Sequence, residues 1–411
     1  MLAGPPRLLS VVSVAVVLLL GWWYLSLVHT TSATPPLKTD HSPPPKSPKK
    51  NTGFRASVDP LDFSIPLIFT PGTPKPAGSN YSRILVLPKT QKEDIFWIHA
   101  ELPDIPLAVY QVDNDTAEFR VPKNKGREAM VYLTYLIDFY NDLPDTIMFF
   151  HSHRYAWHNN ILMGLDTAQA IRRLSDARVA RLGYMNTRCH TDPGCPDWIH
   201  MDRPVVDFDD FHKPEEKYYR KGVWDELHPG APIPPSLSAP CCAQFAVSRE
   251  RVQQVPIERF IHYRKWLLET SMDDQFSGRV FEYIWQYIFT GNAVYCPAVS
   301  SCYCDGYGIC FGGEKKTQHW FEVMDERNKY YEELDGHNKE KTKAEEEGKA
   351  FEFTEEVKAR MKELEAKIRS MDDEMNKLRD AAYERGKEIR NQEAERETYD
   401  DTHIWDKVEQ R

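Results

Sequence analysis

Hydrophobic positions along the chain fall into three regimes. Leu8 to Val28 is an unbroken run without a charged residue. It is long enough to cross hydrocarbon as a helix at 1.5 Å per residue, and Trp22, Trp23 and Tyr24 suit an interfacial belt at its far end. A cleaved signal peptide, with Thr31-Ser32-Ala33 as its processing site, is the competing reading, but the apolar core of such a peptide is only about 7–15 residues long. The run is therefore expected to be an uncleaved anchor over residues 8–28, behind a head of residues 1–7. Residues 29–80 hold Pro35, Pro36, Pro43, Pro44, Pro45 and Pro48 among Lys, Ser and Thr, the composition of an extended stalk.

From residue 81 to 313 short apolar runs alternate with amphipathic ones. Arg83–Leu87 reads as a buried strand, and Thr90 with Glu93 forms a capping box opening a helix through Ile95, Trp97 and Ile98. Leu107–Val112 is a second strand. Met130, Leu133 and Ile137 recur at helical spacing, and Thr146–Phe150 is a third strand. Asp166 is placed to cap a helix through Ile171 and Leu174, and later helices are expected over Ile257–Glu269 and Arg279–Phe289. Strand alternating with helix predicts an α/β domain with a mostly parallel sheet and covering helices. In the third regime, residues 314–411, Val357, Met361, Leu364, Ile368, Met371, Met375, Leu378, Ala382 and Ile389 follow alternating steps of four and three, broken only at Arg385. This is a heptad seam flanked by charge, and it predicts a coiled-coil tail in preference to a single solvated helix, leaving open whether the coil pairs with itself.

Charge sharpens this division. The net charge of −10 is concentrated in the last 98 residues, which carry 29 acidic and 21 basic side chains. An acidic chain of this kind is not held to nucleic acid by phosphate contacts. All eight cysteines, Cys189, Cys195, Cys241, Cys242, Cys296, Cys302, Cys304 and Cys310, lie between the stalk and the tail. Up to four disulfides in any of 105 connectivities are open, and Cys296 to Cys310, four cysteines within fifteen residues threaded with glycine, reads as a stapled loop. Asn80-Tyr81-Ser82 and Asn114-Asp115-Thr116 are glycosylation acceptors. Sequons and clustered cysteines fit an oxidising lumen. They predict a type II single-pass protein of the secretory pathway, in the Golgi or the ER, with its body in the lumen.

The densest polar cluster follows the third strand: His151-Ser152-His153-Arg154-Tyr155-Ala156-Trp157-His158-Asn159-Asn160. Ligands of open α/β sheets bind beyond the carboxyl ends of strands. Side chains alternate along a strand, so His151 and His153 would face the same way and could ligate one divalent metal, with a third ligand from His158 or elsewhere. The alternative is a hydrogen-bonded polar loop without metal. Asp207-Phe208-Asp209 and Asp113-Asn114-Asp115 are literal Asp-x-Asp pairs, the first standing among prolines and charges and the second under a glycan acceptor. Glu282 lies beside an apolar helical stripe and is a candidate base.

The runs Asn124-Lys125-Gly126-Arg127-Glu128, Leu143-Pro144-Asp145, Phe150-His151-Ser152-His153-Arg154, Trp157-His158-Asn159, Cys241-Cys242-Ala243-Gln244-Phe245-Ala246-Val247-Ser248 and Glu282-Tyr283-Ile284-Trp285 resemble the fungal family catalogued as domain of unknown function 3431. That family carries no established activity. Its layout is similar to the GT-A glycosyltransferase architecture: a strand-helix start, a strand ending at a donor site, a Gln-Phe-x-Val-Ser segment and a late helix bearing an acid. In that superfamily an Asp-x-Asp follows the strand that here ends in His151-Ser152-His153. The resemblance implies a membrane-anchored enzyme moving sugar from a nucleotide-sugar donor to a glycan acceptor. His151 and His153, with Arg154, would hold the diphosphate or a Mn or Mg ion, Trp157, His158 and Asn159 would line the sugar, and Glu282 would act as base. Two other classes remain open: a metal-dependent enzyme of non-sugar chemistry on the same histidines, and a non-catalytic membrane-tethered scaffold acting through its coiled coil.

Overall fold

The computed structural model describes residues 59–201, 213 and 216–396. The expected head, the anchor Leu8–Val28, the stalk as far as residue 58 and Asp207–Asp209 lie outside the described residues. Among those described, no helix is long and apolar enough to cross a membrane.

The chain builds a mixed α/β fold around a five-stranded sheet. In chain order the elements that matter are β1 (Arg83–Lys89), α1 (Phe96–Glu101), β2 (Leu107–Gln111), α2 (Glu128–Asp138), β3 (Thr146–Phe149), α3 (Thr167–Arg173), α4 (Asp176–Leu182), β4 (Tyr184–Asn186), β5 (Ile199–His200), α5 (Trp224–Leu227), β6 (Ser236–Leu237), β7 (Phe245–Ser248), α6 (Arg249–Gln254), α7 (Ile257–Glu269), α8 (Asp274–Glu282), α9 (Trp285–Thr290), α10 (Val299–Tyr307), α11 (Glu314–Glu346), α12 (Glu355–Gly386) and α13 (Ile389–Ala394). The strand order is β2-β1-β3-β7-β4, with β5 and β6 a separate antiparallel pair. The first three strands are parallel, as expected. β7 runs antiparallel to both β3 and β4 and makes the sheet mixed.

Both faces of the sheet are buried, and the alternation along each strand divides one core from the other. Val86, Ile147, Phe149, Phe245 and Val247 pack with α2, α7, α8 and α9. Leu85, Leu87, Met148, Phe150 and Ala246 face the opposite way, onto Ile171, Val179, Tyr303 and Tyr307. Trp320 of α11 and Ala382 of α12 belong to this second core. The tail is therefore built into the domain.

Ion pairs show how the tail folds. Arg327 meets Asp372 at 3.0 Å and Arg360 meets Glu333 at 2.7 Å, so α11 and α12 run antiparallel as a hairpin. The seam residues Leu364 and Ile368 are buried, and the Trp320 indole donates to the Met375 carbonyl. The apolar stripe of the heptad seam is met by α11 of the same chain. Where the hairpin reaches the domain, a Cβ on Gly386 would overlap the carbonyl of Gly308, so glycine permits the close approach. Buried Asp305 grips Arg178 at 2.9 Å, Arg181, and Arg396 beyond α13 at 3.3 Å.

Other expectations are revised. Residues 59–80, read as stalk, pack on the domain: Phe63 and Phe69 are buried, and Arg259 donates to the carbonyls of Pro60 and Asp62. The Thr90 N–H and hydroxyl both donate to the Glu93 carboxylate, at 2.6 and 2.9 Å, so the pair closes a turn instead of forming the expected capping box, and α1 starts only at Phe96. The helix expected over 279–289 is broken at Tyr283 and Ile284, whose backbone leaves helical values. The segment read as a stapled loop contains helix α10, which Gly308 ends in the left-handed conformation. All eight cysteines are paired, as Cys189–Cys302, Cys195–Cys296, Cys241–Cys242 and Cys304–Cys310.

Phe63 also meets His228, a fully buried ring enclosed by Trp224, Tyr263 and Tyr287. Burial, reinforced by nearby His262 and Arg259, depresses its pKa from 6.5 to about 3. The unfolded chain binds that proton between these values and the folded one does not, so stability is full above pH 6.5 and is lost as pH falls. His228→Phe removes no side-chain hydrogen bond among the described residues. It should raise the melting temperature at pH 5 by about 2 °C or more relative to the parent and change it less at pH 7.5, as differential scanning fluorimetry would read.

Candidate functional site

The polar cluster after β3 lies where the carboxyl ends of β1, β2 and β3 open. Regular strand geometry stops at Phe149, so the alternation expected to align His151 with His153 no longer applies. The His151 ring faces His158, with centroids 5.1 Å apart. The exposed His153 ring instead lies 3.6 Å from Glu93. Among the described residues neither histidine joins a third His, Cys, Asp or Glu within 4.8 Å. The ligand set expected for Mn or Mg at His151 and His153 is not assembled by these residues, and no step is assigned to a metal.

Arg154 does not point a free charge at the cluster. It pairs with Glu101 at 2.9 Å and Asp166 at 3.1 Å and lies over the Tyr155 ring. Asn159 is likewise spent within the loop, donating to the Leu165 carbonyl and the Thr167 hydroxyl at 2.9 Å. Both residues shape the loop that presents Trp157 and His158. Trp157 is 67% exposed.

Gln244, immediately before β7, ties the cluster together. Its Oε1 accepts from the His151 N–H at 3.2 Å and its Nε2 donates to Asn159 Oδ1 at 3.0 Å. Its carbonyl accepts from the Thr187 N–H and hydroxyl, at 3.0 and 2.9 Å. Thr187 leads into Arg188, which sequence reading did not single out. The Arg188 guanidinium stands over the Trp157 ring at 5.2 Å, donates to Cys241 Sγ at 2.7 Å and to the Asp192 carbonyl at 2.6 Å. Arg188 is 7% exposed and forms no ion pair among the described residues, and burial holds its pKa below the ordinary value.

Glu282 comes to the same place from the end of α8. Its carboxylate accepts from the Cys242 N–H at 2.6 Å. Cys242 and Ala243 take φ of 84° and 48°, conformations that cost a non-glycine residue about 1–3 kcal/mol each. The disulfide to Cys241 and the bond to Glu282 hold this turn in place. Burial raises the Glu282 pKa, against the Cys242 N–H and the charges of Arg279, Arg127 and Arg188. Glu128, at the start of α2, was also missed. Burial, with nearby Glu282 adding to it, raises its pKa to about 7. Burial depresses His151 to about 3 and His158 to about 4, with His158 adding to the first and Arg188 to the second. Both rings are neutral at pH 7, and their buried Nε2 atoms have no hydrogen-bond partner among the described residues.

Two cavities flank this cluster. One, of about 390 Å³, is lined by Lys89, Arg127, Glu128, His151 and Asp274 at the ends of the parallel strands. The other, of about 410 Å³, is lined by Trp157, Arg188 and residues of α11. The sequons lie apart from both. Asn80 is exposed, and the Asn114 side chain closes a local turn by accepting from the Thr116 N–H and hydroxyl.

A family model described as "Protein of unknown function (DUF3431)" matches residues 85–305, more than half of the chain, and the chain belongs to that family. No curated protein and no solved structure matches it.

Because Gln244 fixes the loop, the end of β3 and Thr187 at once, Gln244→Leu keeps volume but leaves the His151 N–H and Asn159 Oδ1 unpaired. Each buried unpaired group costs about 1–3 kcal/mol, so a loss of roughly 2–4 kcal/mol is expected. Urea unfolding monitored by tryptophan fluorescence would measure it, and an unchanged midpoint would show the bonds to be dispensable.

Proposed function

We propose that this domain transfers a sugar from a nucleotide-diphosphate donor to an acceptor hydroxyl, as a glycosyltransferase-like enzyme of GT-A layout. Arg188 carries the reading. A guanidinium that is desolvated and unpaired gains most from a bound anion. The diphosphate leaving a sugar is such an anion, and Arg188 replaces Arg154 as the residue offered to it. Trp157 and His158 would bracket the sugar, and the free Nε2 atoms of His151 and His158 supply donors or acceptors for its hydroxyls.

The features that the GT-A resemblance named support this assignment by their placement. β1 leads into α1, β3 ends at the cluster, Gln244 with β7 lies beside β3, and Glu282 closes α8. In the reaction the acceptor oxygen bonds to the anomeric carbon while the bond from that carbon to the phosphate oxygen breaks. The electron pair leaves on the diphosphate, which Arg188 stabilises, and the acceptor proton passes to Glu282. An alcohol is a poor nucleophile until a base takes its proton, and a carboxylate whose pKa is raised by burial is a stronger base than an exposed one. Four disulfides and two sequons support the lumen of the secretory pathway, behind an anchor at residues 8–28.

The test is a panel of nucleotide sugars against the purified full chain. At least one donor should raise the melting temperature, and Arg188→Ala should abolish that shift while His151→Ala weakens it. With that donor, Glu282→Gln should keep the shift and lower kcat by about 10²-fold or more. Absence of stabilisation by every donor, with or without Mn²⁺, would overturn the assignment.

A further inference from the structure

The second cavity is separated from the first by the row His151, His158 and Trp157. The two histidine rings are 5.1 Å apart and the indole lies 5.5 Å from His158. The exposed face of Trp157 forms one side of the second cavity, and α11 forms the other with Gln318, Phe321 and Asp325. Phe321 is partly exposed and meets the His190 ring edge-on at 5.3 Å. His190 in turn is held by the Tyr303 hydroxyl at 2.8 Å. This wall is therefore positioned by packing that runs into the second core.

Aromatic surface and charge together select the occupant. Two aromatic side chains, Trp157 and Phe321, are open to the cavity, and the exposed amide of Gln318 stands one turn from Phe321. The carboxylates of Asp192, Glu314 and Asp325 outnumber the single cation, Arg188. An anionic acceptor would be repelled by these three carboxylates, whereas Arg188 stays available to the donor's diphosphate. A neutral polyhydroxylated chain meets no such penalty: its apolar faces lie on aromatic rings and its hydroxyls donate to carboxylates. We infer that this second cavity is the acceptor subsite, that it takes a neutral oligosaccharide, and that the tail helix α11 builds half of it. The inference rests on the transferase reading for the word acceptor, whereas the binding of saccharide does not depend on it.

The experiment separates the two. The full chain is titrated with neutral linear oligosaccharides of three to six hexose units, from the manno, gluco and galacto series, followed by saturation-transfer NMR. At least one series should bind, with Trp and Phe resonances receiving saturation. Phe321→Ala and Gln318→Ala should weaken it about three- to tenfold while leaving the melting shift given by a nucleotide sugar unchanged. If saccharide binds in this way and no donor does, the subsite stands and the transferase reading fails. If a donor binds and is turned over but no series binds, or if binding ignores both substitutions, the subsite is overturned. Preferential binding of an oligolysine peptide at the same residues would overturn it as well, because the carboxylates would then be selecting a cation.

Discussion

The arrangement of this protein depends most on the hydrogen bonds of one buried amide. Gln244 reaches the end of β3, the Trp157–Asn159 loop and the residue before Arg188 from a single position. Each of those segments is irregular, and none has a ladder of its own to fix it. An amide offers both a donor and an acceptor, so one side chain can tie two loops where a carboxylate or an ammonium could tie only one kind of partner. The reversed strand β7 makes this available, because its direction brings its first residue alongside the end of β3.

Charge is managed differently at Arg188 than at the other arginines around it. A cation left unpaired in the interior is costly, and this fold tolerates it at Arg188 while pairing Arg154, Arg178 and Arg181 with carboxylates. Arg188 is supported by softer partners, an indole face, a disulfide sulfur and a carbonyl. These hold the guanidinium in place without neutralising it. Glu282 sits on the other side of the same disulfide turn. Positive and negative groups are thus kept near each other with covalent and backbone structure between them.

Much of the fold was legible because its signals are local. The strands at Arg83, Leu107 and Thr146 are apolar runs with turn residues at their ends, and Ile257–Glu269 shows a helical stripe. What stayed hidden were effects of long-range packing. The glycines before Cys310 looked like turn residues of a loop; Gly308 does end α10 in the left-handed conformation, but Gly306 lies inside the helix. The heptad seam is genuine, yet a period of seven does not state whether its partner is another chain or an earlier helix. At the site, His151 and Glu282 were found by their residue type and setting. Arg188 was not, because an arginine beside a cysteine carries no periodic or motif signal. What distinguishes it, among the described residues, is that it forms no ion pair, although Asp192 and Glu282 lie near enough to act on its charge.

Helix α11 runs unbroken from Glu314, at the wall of the second cavity, to Glu346, so about 30 Å of it extends past Asp325 at 1.5 Å per residue. Its pairing with α12 stiffens that length. The hairpin is anchored beside the second cavity by Trp320 and Val323, both buried. Because Gln318 and Phe321 stand three residues apart on this one helix, any displacement of its base would move both together.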